Sequence, residues 1–171
     1  MKWKTFCCTG VVLDSMLATP SYAQGLSPWY LGLKVGWMDA DAPSFDEATN
    51  LGLYGGYTLH EDVNGRFALE GEYTRSISDG DIPGGGWDIE TLGLYGAYRT
   101  AGPWFLKLKA GYIDEDISVS AGGNSIAGSD SGFSFGAGGG VQLSNKAAFE
   151  IEYTVIEDDV NFFSIGYLTH F

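Results

Sequence analysis

The sequence predicts an all-β fold, an eight-stranded antiparallel up-and-down transmembrane β-barrel, on three observations. After residue 24 the chain falls into segments of about ten residues in which apolar residues alternate with polar or small ones, the period of a two-faced strand. The links between these segments are alternately short and mostly long. No run of eighteen apolar residues occurs and mean hydropathy is near zero, as expected when lipid-facing and lumen-facing residues cancel in every window. A soluble eight-stranded barrel would turn its apolar face inward and leave charge outside. Here the charged face is the one that has to be enclosed.

Residues 1–23 read as a secretory signal peptide, with Lys2 and Lys4 in front, a moderately apolar stretch over 5–17 interrupted by Asp14, and Ser21-Tyr22-Ala23 as the cleavage site. Residues 24–171 are then the barrel domain. Cys7 and Cys8 fall within the leader, so the mature chain is expected to carry no cysteine and no disulfide. The small-residue context of a lipoprotein site is missing, and no lipid anchor is expected.

The first strand, 29–37, puts Trp29, Leu31, Leu33, Val35 and Trp37 on one face and Tyr30, Gly32, Lys34 and Gly36 on the other. An acidic link, 38–50, leads to the second, 51–59, with Leu51, Leu53, Gly55, Tyr57 and Leu59 outward. The link 60–65 closes on Asn64-Gly65, a hairpin signal. The third, 66–75, turns Phe67, Leu69, Gly71 and Tyr73 out and Ala68, Glu70, Glu72 and Thr74 in. After a long link, 76–87, with Pro83 and a triple glycine, the fourth covers 89–99, with Leu92, Leu94, Gly96 and Tyr98 outward. A short link, 100–103, precedes the fifth, 104–113, with Trp104, Leu106, Leu108, Ala110 and Tyr112 outward. The longest link, 114–131, is rich in Gly and Ser and reads as a loop. The sixth, 132–143, sets Phe133, Phe135, Ala137, Gly139, Val141 and Leu143 over an inner row containing four glycine or serine positions, which leaves local room.

Ser144-Asn145-Lys146 leads to the seventh strand, 147–156, with Phe149, Ile151, Tyr153 and Val155 out. The eighth, 160–171, puts Phe163, Ile165, Tyr167, Thr169 and Phe171 on one face, with Leu168 the exception to the alternation. A greasy terminal strand is a hazard as an open edge, so it is expected to close the barrel against the first. The repeat LGLYGGY at 51–57 and LGLYGAY at 92–98 falls on two strands of the same direction and supports the register.

The inward positions hold Lys34, Glu70, Glu72, Arg99, Lys107, Lys109, Glu150 and Glu152, four of each sign, clustered toward the short-link end. Eight strands leave an interior that side chains can fill, so these groups are expected to meet as a hydrogen-bonded ion network that plugs the lumen. The long links collect the remaining acids: Asp39, Asp41, Asp46 and Glu47; Asp79, Asp81, Asp88 and Glu90; Asp114, Glu115, Asp116 and Asp130; Glu157, Asp158 and Asp159. With 22 acidic against 9 basic residues, such a rim repels nucleic acid and attracts divalent cations loosely, which would bridge it to lipopolysaccharide phosphates. No EF-hand spacing and no metal site is present in the sequence, and no cofactor is implied. Aromatics are expected in two girdles, Tyr57, Tyr73, Tyr98, Trp104, Tyr167 and Phe171 near the short links and Trp37, Tyr112 and Phe133 near the long ones.

The signal peptide, the repeated LGLYG strands, the set Lys34, Glu70, Arg99, Lys107 and Glu150, and the closing SIGYLTHF together resemble the small outer-membrane β-barrel family of the OmpA transmembrane-domain and OmpX type, with the opacity-like porin-family proteins. The resemblance implies a bacterial outer-membrane location and contact with outer-membrane lipid. It also implies that the terminal aromatics Tyr167 and Phe171 serve as a signal to the barrel-assembly machinery. The chain ends at the barrel, so no peptidoglycan-binding domain is expected after it.

The leading function is structural and surface-interacting: membrane integrity, adhesion or contact with a host or surface ligand through acidic loops. A small-solute channel is the second reading. A lipid-modifying enzyme is the third, disfavoured because acid–base chemistry needs a suitably placed histidine. His60, in a short link, and His170, late in the last strand, both belong to the periplasmic end. No catalytic residue is assigned.

Overall fold

The computed structural model describes residues 27–40, 44–157 and 160–171. The segment read as a signal peptide, with Cys7 and Cys8, lies outside the described residues, as do Asp41, Asp158 and Asp159. Where the sequence alternates, the backbone is pleated: along Trp29–Ala40 exposed and buried residues take turns, because successive side chains leave opposite faces of a strand.

The strands in chain order are β1 (Trp29–Ala40), β2 (Ala48–Glu61), β3 (Gly65–Ser78), β4 (Gly80–Ile82), β5 (Gly85–Thr100), β6 (Trp104–Ala121), β7 (Asn124–Gln142), β8 (Ala147–Glu157) and β9 (Val160–His170). Every pairing is antiparallel, and the ring closes through β1–β9 and β3–β5. β4 continues β3 past Asp79 and pairs only with the top of β5, so the wall has eight staves. The terminal strand closes on the first as expected, with Tyr30 opposite His170 and Ala40 opposite Val160. Each residue from Tyr30 to Ala40 has a partner across this seam, and such closed pairing is what a structure crossing hydrocarbon requires. The outer wall is apolar, with Leu33, Leu53, Leu69, Leu94, Leu108 and Ile165 all exposed.

At the long-link end the strands run further than their hydrophobic alternation. The expected loop 114–131 is a paired hairpin: β6 and β7 stay in register from Trp104↔Val141 to Ala121↔Asn124. Gly122 and Gly123 turn it, with φ of 59° and 83°; two successive left-handed residues make the tight turn whose twist suits a hairpin. Pro83 and Gly84 likewise turn β4 into β5, Gly84 taking φ 84°. These extensions are held by their backbone pairing, with Ile117 and Val119 packed inward against buried apolar side chains, and so need no two-sided hydrophobic pattern. Consequently Asp114, Asp116 and Asp130 lie on strands, and Glu115 is buried. β7 pairs with β8 only from Phe135 onward. Above that point β4, β5, β6 and β7 continue the same sheet past their neighbours, with β7 extending roughly 35 Å.

Two aromatic bands flank the apolar wall. Trp29 packs edge-on against Tyr57 with centroids 4.7 Å apart, and Phe149 against Tyr167 at 5.5 Å, near the short links. Trp37 stacks on Phe163 at 6.1 Å and Tyr112 meets Phe133 at 5.8 Å near the long ones. Tyr73 moves bands. It lies as far along β3 as Trp37 does along β1 and Tyr112 along β6, beside the outward Arg75 and Glu90. Because β3 rises from its short turn, so late a position is at the long-link level.

Candidate functional site

The lumen is built from the inner row of every strand. Glu70 and Glu72 on β3, Lys107 and Lys109 on β6, and Glu150 and Glu152 on β8 are i, i+2 pairs, which share a face about 7 Å apart. Each of these strands therefore gives one charge to a lower and one to an upper tier. Arg99 from β5 completes the lower tier: its Nη2 reaches Glu70 Oε2 at 2.7 Å and its Nε reaches Glu150 Oε1 at 2.6 Å. Lys107 Nζ closes that square onto Glu70 at 2.9 Å and Glu150 at 3.2 Å. Lys34 from β1 completes the upper tier, 2.8 Å from Glu72 and 2.9 Å from Glu152, and Lys109 lies 2.8 Å from each of the same two. Lys107 also reaches Glu152 Oε2 at 2.7 Å and ties the tiers together.

All eight predicted luminal residues thus meet in one cluster, none more than 7% exposed. Charges removed from water need this degree of pairing, since the desolvation of each is otherwise not offset. Glycines on the uncharged staves make the space. A Cβ on Gly52 would meet Lys34 Cγ at 2.8 Å, and one on Gly136 would meet Lys109 Cε at 2.9 Å. The inner glycine row of β7 is closed in by the Lys109 side chain at Gly136, the β8 backbone at Gly138 and the Phe105 ring at Gly140, and leaves less room than expected.

Tyrosines extend the network, and charge-based reading missed them. Tyr30 Oη donates to Glu70 Oε2 at 2.8 Å and accepts from Arg99 Nη1 at 3.0 Å. Tyr54 Oη donates to Glu150 Oε2 at 3.3 Å. Tyr95 donates to Ser134 Oγ at 3.2 Å, while its ring carries Lys109 Nζ at 4.2 Å. Their parity with Lys34 and Arg99 was the available signal. So were Gly56 opposite Tyr30 and Gly32 opposite Tyr54, where each ring fills the space that a Cβ would need.

Above the ions the lumen turns apolar. Met38, Trp87, Ile89, Ile113, Ile156, Val160 and Phe162 pack into one buried cluster. Trp87 Nε1 donates to the Asp46 carbonyl at 2.8 Å, and Phe45 leans on its ring at 5.9 Å. Nothing in a reading keyed to charge announced this layer, although all its members share the inward parity of their strands.

Below the ions, Tyr30, Tyr54, Ala68, Phe105, Ala148 and Leu168 form a second apolar cluster, which explains why Leu168 breaks the alternation of the last strand. A cavity there, bordered by Arg66, Arg99, Leu168 and His170, measures about 10 Å3, room for about one water. His170 points inward. Its Nε2 accepts from Arg66 Nη1 at 3.1 Å, so Nδ1 carries the proton and donates to the Ser27 carbonyl at 3.2 Å. His60, expected in a short link, lies among the last residues of β2, exposed and 4.0 Å from Asp62. The Asp62 carboxylate accepts the backbone N–H groups of Asn64 and Gly65, which hold it below the usual carboxylate range. Among the described residues no group of three or more His, Cys, Asp or Glu side chains could hold a metal ion. Tyr167 and Phe171 both stand on the outer surface, and the Phe171 N–H donates to the Trp29 carbonyl at 3.4 Å.

No curated protein matches the chain in sequence. Among solved structures it is similar to Neisserial surface protein A, with a TM-score of 0.65 and 16% identity over 86% of this chain and 100% of that one. It is similar to Ail, the attachment invasion locus protein of Yersinia pestis, with a TM-score of 0.58 and 15% identity over 84% and 96%. The outer membrane enzyme PagL gives 0.52 and 15% over 82% and 98%. Such low identities establish a shared fold. The family model described as outer membrane protein beta-barrel domain matches residues 9–171, and the chain therefore belongs to that family of bacterial outer-membrane proteins.

Proposed function

We infer that this protein is a structural and surface-interaction protein of the outer membrane whose lumen does not conduct. The observation that carries the reading is the layered interior. A permeating ion would have to separate both tiers of balanced, buried ion pairs and then cross the apolar layer around Trp87. Either step exposes charge to low dielectric at considerable cost.

What remains for interaction is the extracellular rim. From 124 to 133 one edge of β7 pairs with no strand among the described residues, and a row of backbone donors and acceptors can receive an added strand from a host or surface ligand. Asp114, Asp116 and Asp130 on this sheet support loose attraction of divalent cations and, through them, of lipopolysaccharide phosphates. The name of Ail, which refers to attachment and invasion, agrees with this reading. Tyr167 and Phe171, on the outer wall at the end of the chain, fit recognition by the barrel-assembly machinery.

Catalysis is the weaker alternative. PagL is an enzyme on the same fold, but both ring nitrogens of His170 are engaged, and His60 is exposed at the end of β2 with the exposed Asp62 as its acidic neighbour. Two assays test these alternatives. In planar bilayers the purified protein is expected to give no steady single-channel conductance, and a sustained open level would overturn the closed lumen. Lipid A deacylation by the purified protein is expected at background, and turnover would replace the non-enzymatic reading.

A further inference from the structure

The lipid-facing wall is uneven on one stave. Along β7 the outward positions nearest the short links are Ala137, Gly139 and Val141, whereas the flanking strands present larger groups. Leu106 and Ile151 stand either side of Gly139, and Leu108 and Tyr153 either side of Ala137. A low floor between tall walls makes a trough of about 640 Å3, with Trp104 and Phe149 among its lining and Phe163 on its β9 side. From Val141 to Ala137 it follows about 13 Å of strand. Tilt reduces its height further, so it fits within the roughly 15 Å that one leaflet contributes to the hydrocarbon core. The short links mark the periplasmic side of such barrels, which puts the trough in the phospholipid leaflet.

We propose that this trough is a lipid site that retains one acyl chain of a periplasmic-leaflet phospholipid. The trough opens directly onto the apolar belt that already faces lipid, so its occupant is drawn from the bilayer. No Lys, Arg, Asp or Glu lines it, which suits a hydrocarbon chain and gives no selection by headgroup charge. Its walls rise from strands about 10 Å apart, a slot wide enough for a chain and too narrow for the convex wall of a second barrel. Gly139 keeps the floor low: a Cβ there would meet the Phe105 carbonyl oxygen at 3.1 Å. Retaining a chain in this slot replaces loose lipid contact with packing on three sides, which adds dispersion contacts that a flat wall lacks.

The test uses the intact protein reconstituted in phosphatidylethanolamine and phosphatidylglycerol, released in mild detergent and weighed by native mass spectrometry. Ala137→Leu fills the trough, and Ala110→Leu puts the same side chain on the outer wall of β6 away from it. A heat-dependent gel shift verifies that each variant is a closed barrel. The wild type and Ala110→Leu are expected to retain one phospholipid of either headgroup, and Ala137→Leu to lose that occupancy at least fivefold. Equal retention in all three, no retained lipid in the wild type, or a wild-type dimer that Ala137→Leu turns into monomer would each overturn the proposal. A readout without mutation keeps it testable if Ala137→Leu does not close. Phospholipid brominated on its acyl chains is expected to leave a fraction of the tryptophan fluorescence quenched after bulk lipid has been exchanged, and full recovery at the rate of bulk exchange contradicts a retained chain.

Discussion

Arg99 is the residue on which the lower tier converges, since it bonds Glu70, Glu150 and the Tyr30 hydroxyl through three different nitrogens. Truncating it leaves two buried carboxylates with Lys107 as their remaining cation. Arg99→Ala is expected to cost about 3–5 kcal/mol and to lower the unfolding temperature in detergent; an unchanged melting point would show that water, and not the network, supports these acids. Tyr30→Phe should cost less, about 1.5–3 kcal/mol for a hydrogen bond to charge, and the same thermal scan ranks the two. At this scale the eight charges were legible because parity alone sends them inward. Parity also sent Tyr30 inward beside Lys34, but its bond to Glu70 and the places of Tyr54 and Trp87 were not legible, because a ring is at home in such a barrel facing lipid or filling the lumen. What decides is the glycine across the strand or the carbonyl above, and both depend on register.

At the scale of elements, the β6–β7 hairpin and the barrel wall answer to different forces. The wall is held by lipid outside and ions within, whereas the projecting hairpin rests on backbone pairing, its glycine turn and the inward packing of Ile117 and Val119. Replacing residues 118–127 by a short turn should therefore leave the heat-dependent gel shift in place while reducing binding to extracellular surfaces; loss of the shift would mean that the rim stabilises the barrel. Trp87→Ala removes the centre of the apolar cap and should cost about 3–5 kcal/mol, as for a large core truncation, with the midpoint in denaturant as the readout. The membrane-crossing segments could be read from sequence because lipid imposes a strict period of two on them. Above the membrane that constraint ends, so Gly122 and Gly123 looked like loop composition when they were a hairpin turn.

At the scale of the whole molecule, closure is the property to measure. The folded protein should migrate differently in gels before and after heating in detergent, and a chain lacking Phe171 should assemble in cells at a lower yield with the same mobility once closed. An altered shift for that variant would mean that Phe171 serves the closed barrel's structure. Eight staves, their direction and the pairing of last to first could be foreseen because eight alternating segments could be counted and strands in hydrocarbon satisfy every amide only in a closed ring. The two-tier geometry could not, because it depends on how far each strand slides against the next. The seam between β1 and β9 has a further consequence for the order of assembly. The eight charges of the two tiers come from β1, β3, β5, β6 and β8, and β9 supplies none. A sheet that has paired from β1 through β8 already carries its full set of charges on a face with no far wall. Until Val160–His170 docks, that face has to stay in contact with water, so entry into lipid and expulsion of water from the lumen are bound to the same final pairing step.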